Sequence, residues 1–126
     1  MTARTQLLHG LAALLLTAVF GIPGVQAQKL QERMASRYNE VFDYSKVAAI
    51  YEDLDAKGKS DATTLRKLAM AYRKLGDAPK AEGAYRRLMI TTGRTAEDVL
   101  AFGDQLRANG KYTEALEQYE LYAKEK

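Results

Sequence analysis

One helix-turn-helix pattern recurs along this sequence with a period of 34 residues. It is clearest from Leu68 to Leu88, where apolar residues at helical spacing lie on both sides of Gly76 and Pro79. Glycine commonly ends a helix, and proline fits the first turn of the next one because no N–H donor is needed there. Shifting the sequence by one period places similar residues on one another: Ala35 on Ala69, Tyr38 on Tyr72, Tyr51 on Tyr85, Tyr119 on Tyr85, Ala115 on Ala81 and Gly110 on Gly76.

The repeat predicts three helix hairpins, over residues 28–61, 62–95 and 96–126. The apolar spacing predicts six helices, near residues 28–42, 44–57, 62–75, 77–91, 96–109 and 111–125. Residues of the kinds that cap helix N-termini precede four of them, namely Asp43, Asp61, Asp77 and Thr95. A single hairpin cannot bury its apolar face alone, so we expect the hairpins to stack into an all-α fold.

The first 27 residues have the features of a secretory signal peptide. A basic residue, Arg4, precedes the apolar run Leu7–Phe20, and Val25-Gln26-Ala27 has the small-x-small form of a cleavage site. The run is short for a membrane span, which leaves an uncleaved anchor as the alternative. We expect cleavage after Ala27, with the first repeat beginning at Gln28, and export to the periplasm or the outer membrane.

Composition argues against several classes of function. The chain has no cysteine, and its one histidine, His9, lies in the predicted signal peptide. Without Arg4, 18 basic and 16 acidic side chains leave a net charge of +2, too balanced to indicate a nucleic-acid partner. The carboxylates and single turn glycines suggest no metal or nucleotide site. We therefore expect no enzyme activity, metal or cofactor, and no membrane-spanning segment after residue 27.

The 34-residue helix-turn-helix period resembles the tetratricopeptide repeat. Leu68 and Phe102 fall at the seventh position of that repeat, Ala69 and Gly103 at the eighth, and Tyr85 at the twenty-fourth. The usual fourth-position aromatic residue and late proline are absent. The resemblance implies three hairpins in a right-handed superhelix, an α-solenoid.

In that family the first helix of each hairpin lines a concave groove that binds a protein or peptide. The resemblance places these residues there: Ser36, Asn39, Arg66, Met70, Arg73, Asp104 and Arg107. Arg73 and Arg107 are one period apart, and a pair of guanidinium groups suits a carboxylate or an acidic peptide. A solvated groove without a ligand is the alternative. Glu32 and Ser36 replace the Lys and Asn of the family's carboxylate clamp, so that specificity is not implied.

A second resemblance covers the mature chain, through the segments QKLQERMASRYNEVFDYSKVAAIYEDLDAKG, KLAMAYRKLGD and GDQLRANGKYTEALEQYE. They look like the N-terminal repeat region of secreted Bacteroidetes proteins that continue into a β-propeller and an outer-membrane-protein-A-like, peptidoglycan-binding domain. Some of those proteins are linked to type IX secretion. The resemblance implies a non-catalytic scaffold or adaptor in the cell envelope.

The last hairpin suggests an alternative role. Tyr112, Leu116 and Tyr119 would form an apolar face with no later helix to cover it. A partner, a second copy of the chain or a further domain would then cover that face. The alternative function is therefore a structural unit that self-associates or anchors in the envelope. In one form of this alternative, the unit is the front part of a larger peptidoglycan-binding or type IX secretion-associated protein.

Overall fold

The computed structural model describes residues 24–126, and within that range all regular secondary structure is α-helical. The helices are α1 (Gly24–Glu40), α2 (Tyr44–Ala56), α3 (Ala62–Leu75), α4 (Ala78–Met89), α5 (Ala96–Ala108) and α6 (Tyr112–Glu125). The all-α prediction is confirmed. None of these six helices has the length and hydropathy needed to cross a bilayer. The predicted signal peptide and its alternative, an anchor, lie outside the described residues except for Gly24–Ala27, which belong to α1.

The helix starts follow the predicted caps. The side chains of Asp43, Asp61, Asp77 and Thr95 accept hydrogen bonds from backbone N–H groups three residues later, at 3.3, 2.8, 3.2 and 3.3 Å. Each bond satisfies a donor that the helix itself leaves unpaired. Gly76 ends α3 with a left-handed backbone, as predicted.

The chain divides into two compact units, Met1–Arg33 and Met34–Lys126. In the first, the described residues belong to α1, where the Gln28 amide donates to the Glu32 carboxylate at 3.1 Å. In the second, each helix from α2 to α6 packs against the next one in the chain. The core of this unit includes Tyr51, Leu54, Leu65, Leu68, Tyr72, Tyr85, Leu88, Phe102 and Leu106.

Small residues set the distance between packed helices. Ala35, Ala69 and Gly103 are one period apart and all are buried. A Cβ atom added at Gly103 would lie 2.8 Å from Cε1 of Tyr119, which is closer than side chains tolerate. Glycine therefore stands at this point of α5 because the Tyr119 ring of α6 occupies the space that an alanine would need.

Charged groups connect successive hairpins. Glu82 on α4 accepts hydrogen bonds from Asn109 at 2.8 Å and from Lys111 at 2.7 Å, besides those from Arg86 on its own helix. Partial burial opposes ionisation of Glu82, but the bonds from Lys111, Asn109 and Arg86 outweigh it and lower its pKa to about 2. The buried Glu82 is therefore held as a paired carboxylate between α4 and the α5–α6 connection.

The connection between α1 and α2 contains a strained residue. Phe42 has a φ of 59°, whereas Gly76 and Gly110, one and two periods later, have φ values of 75°. The left-handed region favours glycine because a Cβ atom crowds the backbone there. The Phe42 side chain is nevertheless 74% exposed, with its ring 6.2 Å from that of Tyr44. Burial of the Phe42 ring therefore does little to offset the backbone strain.

Phe42→Gly should be more stable than Phe42→Ala by about 1 kcal/mol, because only glycine relieves the left-handed strain while both variants lose the ring. Urea unfolding followed by circular dichroism measures the difference. The alanine variant is the matched control, since it keeps a Cβ atom at this backbone conformation. Equal stability of the two variants would show that Phe42 carries no strain.

Candidate functional site

A cavity of about 340 Å³ lies between the end of α1, the helix α2 and the helix α3. Ten residues from these three helices line it, and none of them is acidic: Ala35, Ser36, Asn39, Tyr44, Val47, Tyr51, Lys67, Met70, Ala71 and Lys74. We call this the cleft. It combines an apolar floor with polar groups at its edge, which is the usual composition of a ligand site.

The α1 and α2 side of the cleft is held by local structure. Ala35 on α1 and Val47 on α2 are buried, and both line the cleft. The backbone N–H of Asp43 donates to the Tyr38 carbonyl at 2.8 Å, which closes the turn between the helices. Ser36 and Asn39 then present exposed polar side chains from α1. This wall therefore offers hydrogen-bonding groups above a packed base.

The α3 side of the cleft is basic. Lys67, Met70, Ala71 and Lys74 stand at i, i+3, i+4 and i+7, so they share one helix face. Ala71 is buried, whereas Met70 and both lysines are exposed.

Neither lysine forms an ion pair with any residue in 24–126. Two lysines of the neighbouring helices, by contrast, are paired: Lys46 lies 3.0 Å from Asp43, and Lys80 lies 3.9 Å from Glu52. The wall formed by α3 thus carries two positive charges that no carboxylate of this region neutralises.

Three of the residues that the sequence predicted for a groove line the cleft, namely Ser36, Asn39 and Met70. Arg66, Arg73, Asp104 and Arg107 do not. Arg66 differs most from the expectation, because Asp98 already binds its guanidinium group through Nε and Nη2, both at 2.6 Å. Asp98 is 4% exposed and also caps α5. Arg66 therefore binds a carboxylate of this chain, and this ion pair connects α3 with α5.

The other predicted groove residues lie against tyrosines. Burial raises the pKa of the Tyr85 hydroxyl, and the nearby positive charge of Arg73 opposes that rise. The Tyr119 hydroxyl donates to Asp104 at 2.9 Å, and Arg107 lies 3.8 Å from the same carboxylate. Arg73 and Arg107 remain exposed on α3 and α5, and the prediction that they bind a ligand stays a prediction.

Sequence reasoning missed both lysines and two tyrosines, Tyr44 and Tyr51, that line the cleft. The period indicates a packing role for tyrosines that recur with it, such as Tyr51 and Tyr85. The lysines had a visible signal, since Lys67 and Lys74 are separated by seven residues on one helix face. The sequence favours Arg73 and Arg107 instead, because these two arginines are one period apart.

The chemical groups of the cleft are cationic, hydrogen-bonding and aromatic. Within residues 24–126 no group of three or more histidine, cysteine, aspartate or glutamate side chains is arranged to hold a metal ion. The cleft offers ammonium, hydroxyl, amide and thioether groups beside aromatic rings. No protein-family model matches the chain, and the search of curated proteins found no match to it.

Proposed function

We propose that this chain is a non-catalytic protein-interaction module whose cleft binds an acidic segment of a partner protein. The observation that carries the proposal is the pair of unneutralised lysines, Lys67 and Lys74, on a cleft wall that has no acidic residue. A carboxylate entering there gains two cations and displaces no carboxylate of the chain. Met70 and the tyrosines of the cleft would contact apolar side chains next to the acidic ones.

The proposed mechanism is presentation of a preformed surface. Helix α2 packs against α3, and these two helices carry seven of the ten cleft residues, so little ordering of them is needed when a partner binds. The lysines are exposed to solvent, so their contribution should be screened by salt and should affect the association rate as well as the affinity. A scaffold or adaptor that recruits partners reversibly needs such properties.

The proposal extends to fold and location. We take the three hairpins to form a tetratricopeptide-like right-handed superhelix, an α-solenoid, in the periplasm or at the outer membrane. Support for the superhelix comes from the 34-residue period of the sequence and from helix starts that follow it, at Ala62 and Ala96 and again at Ala78 and Tyr112. Support for export comes from the basic residue, apolar run and small-x-small site within residues 1–27.

Reversing both cleft charges should weaken binding of an acidic peptide. The probe is a fluorescein-labelled peptide of alternating Glu and Leu, and its anisotropy is titrated with the protein. Lys67→Glu with Lys74→Glu should lower the affinity about tenfold, or about 1.4 kcal/mol, because attraction to the carboxylates becomes repulsion. A peptide of alternating Lys and Leu should bind the unaltered protein more weakly than the acidic one.

The matched control is Lys59→Glu with Lys124→Glu, which makes the same change in net charge at exposed positions outside the cleft. That variant should retain most of the affinity. An equal loss in the control, or no preference between the acidic and basic peptides, would contradict the cleft as the site. Circular dichroism of all the proteins checks that each variant is folded.

A structural, self-associating role is the second candidate. It is favoured by the last helix, α6, where Tyr112 is 70% exposed and Leu116 is 57% exposed. Exposed apolar side chains on one helix face mark interaction surfaces. Anchoring in the envelope, as part of a larger peptidoglycan-binding or secretion-associated protein, remains a form of this candidate.

A further inference from the structure

The contact between the first two hairpins contains a three-residue polar cluster. The Tyr72 hydroxyl on α3 donates to the Glu52 carboxylate on α2 at 2.6 Å. Lys80 on α4 lies 3.9 Å from the same carboxylate, and its ammonium group lies 5.4 Å from the centre of the Tyr72 ring. A carboxylate on one hairpin is therefore held by a tyrosine and a lysine on the next.

The contact between the second and third hairpins uses the same positions. Arg86, one period after Glu52, forms an ion pair at 2.6 Å with Glu114, one period after Lys80. The signs of the two charges are exchanged, and the pair is closer than the 3.9 Å between Lys80 and Glu52. These two positions are thus where successive hairpins of this chain join, and opposite charges occupy them at both joints.

Residues of the same types occupy the equivalent positions of the first and last hairpins. At the first hairpin Tyr38 and Lys46 stand one period before Tyr72 and Lys80, and the Lys46 ammonium lies 4.8 Å from the centre of the Tyr38 ring. Lys46 lies 3.0 Å from Asp43, just as Lys80 lies 3.9 Å from Asp77 besides its contact with Glu52. At the last hairpin Glu120, which is exposed, stands two periods after Glu52. The end residues are therefore the same three types, Glu, Tyr and Lys, as those of the cluster between the first two hairpins.

Apolar residues at the ends match as well. Leu116 is 57% exposed, whereas the equivalent residues at the internal joints, Ala48 and Glu82, are buried. Met34 on α1 is 43% exposed, whereas Leu68 and Phe102, its equivalents on α3 and α5, are buried. Surfaces that are covered at the internal joints are open at both ends of the Met34–Lys126 unit.

We infer that copies of this chain associate head to tail, with α6 of one copy packed on the first hairpin of the next. Glu120 would then accept the Tyr38 hydroxyl and pair with Lys46 of the following copy, as Glu52 does with Tyr72 and Lys80 within the chain. Leu116 would be covered at the same time. The two faces differ, so the contact does not close on itself, and dimers should extend to longer chains as the concentration rises.

Charge exchange tests this arrangement, using protein produced from the full sequence and sedimentation velocity over a range of concentrations. The unaltered protein should show an average mass that rises with concentration. Glu120→Lys alone and Lys46→Glu alone should each weaken association at least tenfold, because like charges then face each other. Mixing the two variants should restore association, since the lysine of one meets the glutamate of the other.

Glu117→Lys is the matched control. It makes the same change on the same helix, at a position whose equivalents, Ala49 and Gly83, stay exposed at the internal joints. It should associate like the unaltered protein. All variants share residues 1–23, so any association through that segment is common to them. A monomer at every concentration, unchanged association of the single variants, or a mixture that stays dissociated would each overturn the head-to-tail joint.

Discussion

Tyr85→Ala is expected to lower the free energy of unfolding by about 4 kcal/mol, the range found when a large aromatic side chain is removed from a core. Tyr85 is the largest side chain in the fully buried set, and its ring stacks on Phe102 with centroids 6.2 Å apart. Its removal opens a cavity where α4 meets α5. Chemical unfolding monitored by circular dichroism measures the loss.

Tyr85→Phe separates the ring from the hydroxyl group. It keeps the stacking on Phe102 and removes only the hydroxyl group, so the expected loss is about 1 kcal/mol. Tyr119→Ala gives a second comparison, because Tyr119 occupies the same repeat position but is only half-buried, and its loss should be smaller. If Tyr85→Phe were as damaging as Tyr85→Ala, the hydroxyl network and not the packed ring would hold α4 against α5.

The helices were predictable from the sequence because their determinants are local. Caps such as Asp61 and Thr95 act on N–H groups three residues away, and Gly76 acts on its own backbone. The period then relates the buried alanines and tyrosines of successive hairpins to one another, since residues at equivalent positions have equivalent neighbours. Phe42 was not predicted as a left-handed residue, because the period aligns it with glycines but its side chain argues for a different backbone.

The candidate site was predicted only in part, because it depends on pairings between helices. The period places Arg66, Arg73 and Arg107 on first helices of their hairpins, but it says nothing of which arginine meets a carboxylate from elsewhere. Asp98, the partner of Arg66, lies 32 residues further along the chain, so no local pattern links the two. That a lysine has no ion pair can be recognised only when the positions of the carboxylates are known. The structure was therefore needed to identify Lys67 and Lys74.

Asp98→Ala should lower the free energy of unfolding by about 3 kcal/mol, because it removes both a helix cap and one half of a largely buried ion pair. In the native protein the Asp98 carboxylate accepts the Thr95 backbone N–H at 2.8 Å as well as the two Arg66 bonds. The variant leaves the Arg66 guanidinium half-buried without its acceptor. Asp98→Asn keeps the shape and loses the charge, so its loss should be intermediate.

The role of Arg66 is decided by comparing Arg66→Met, Asp98→Ala and the double variant. If the pair is structural, the losses of unfolding free energy in the two single variants should add up to about 2 kcal/mol more than the loss in the double variant. Burial raises the pKa of Asp98, but the bonds from Arg66 and from the Thr95 N–H outweigh it, so the net direction is downward from 3.8. The stabilisation is therefore present at neutral pH and should fade as the pH falls below about 4, where the unfolded carboxyl takes up a proton first. If the losses were additive and did not vary with pH, the pairing with Asp98 would not be the role of Arg66. Arg66 would then be available to bind a ligand.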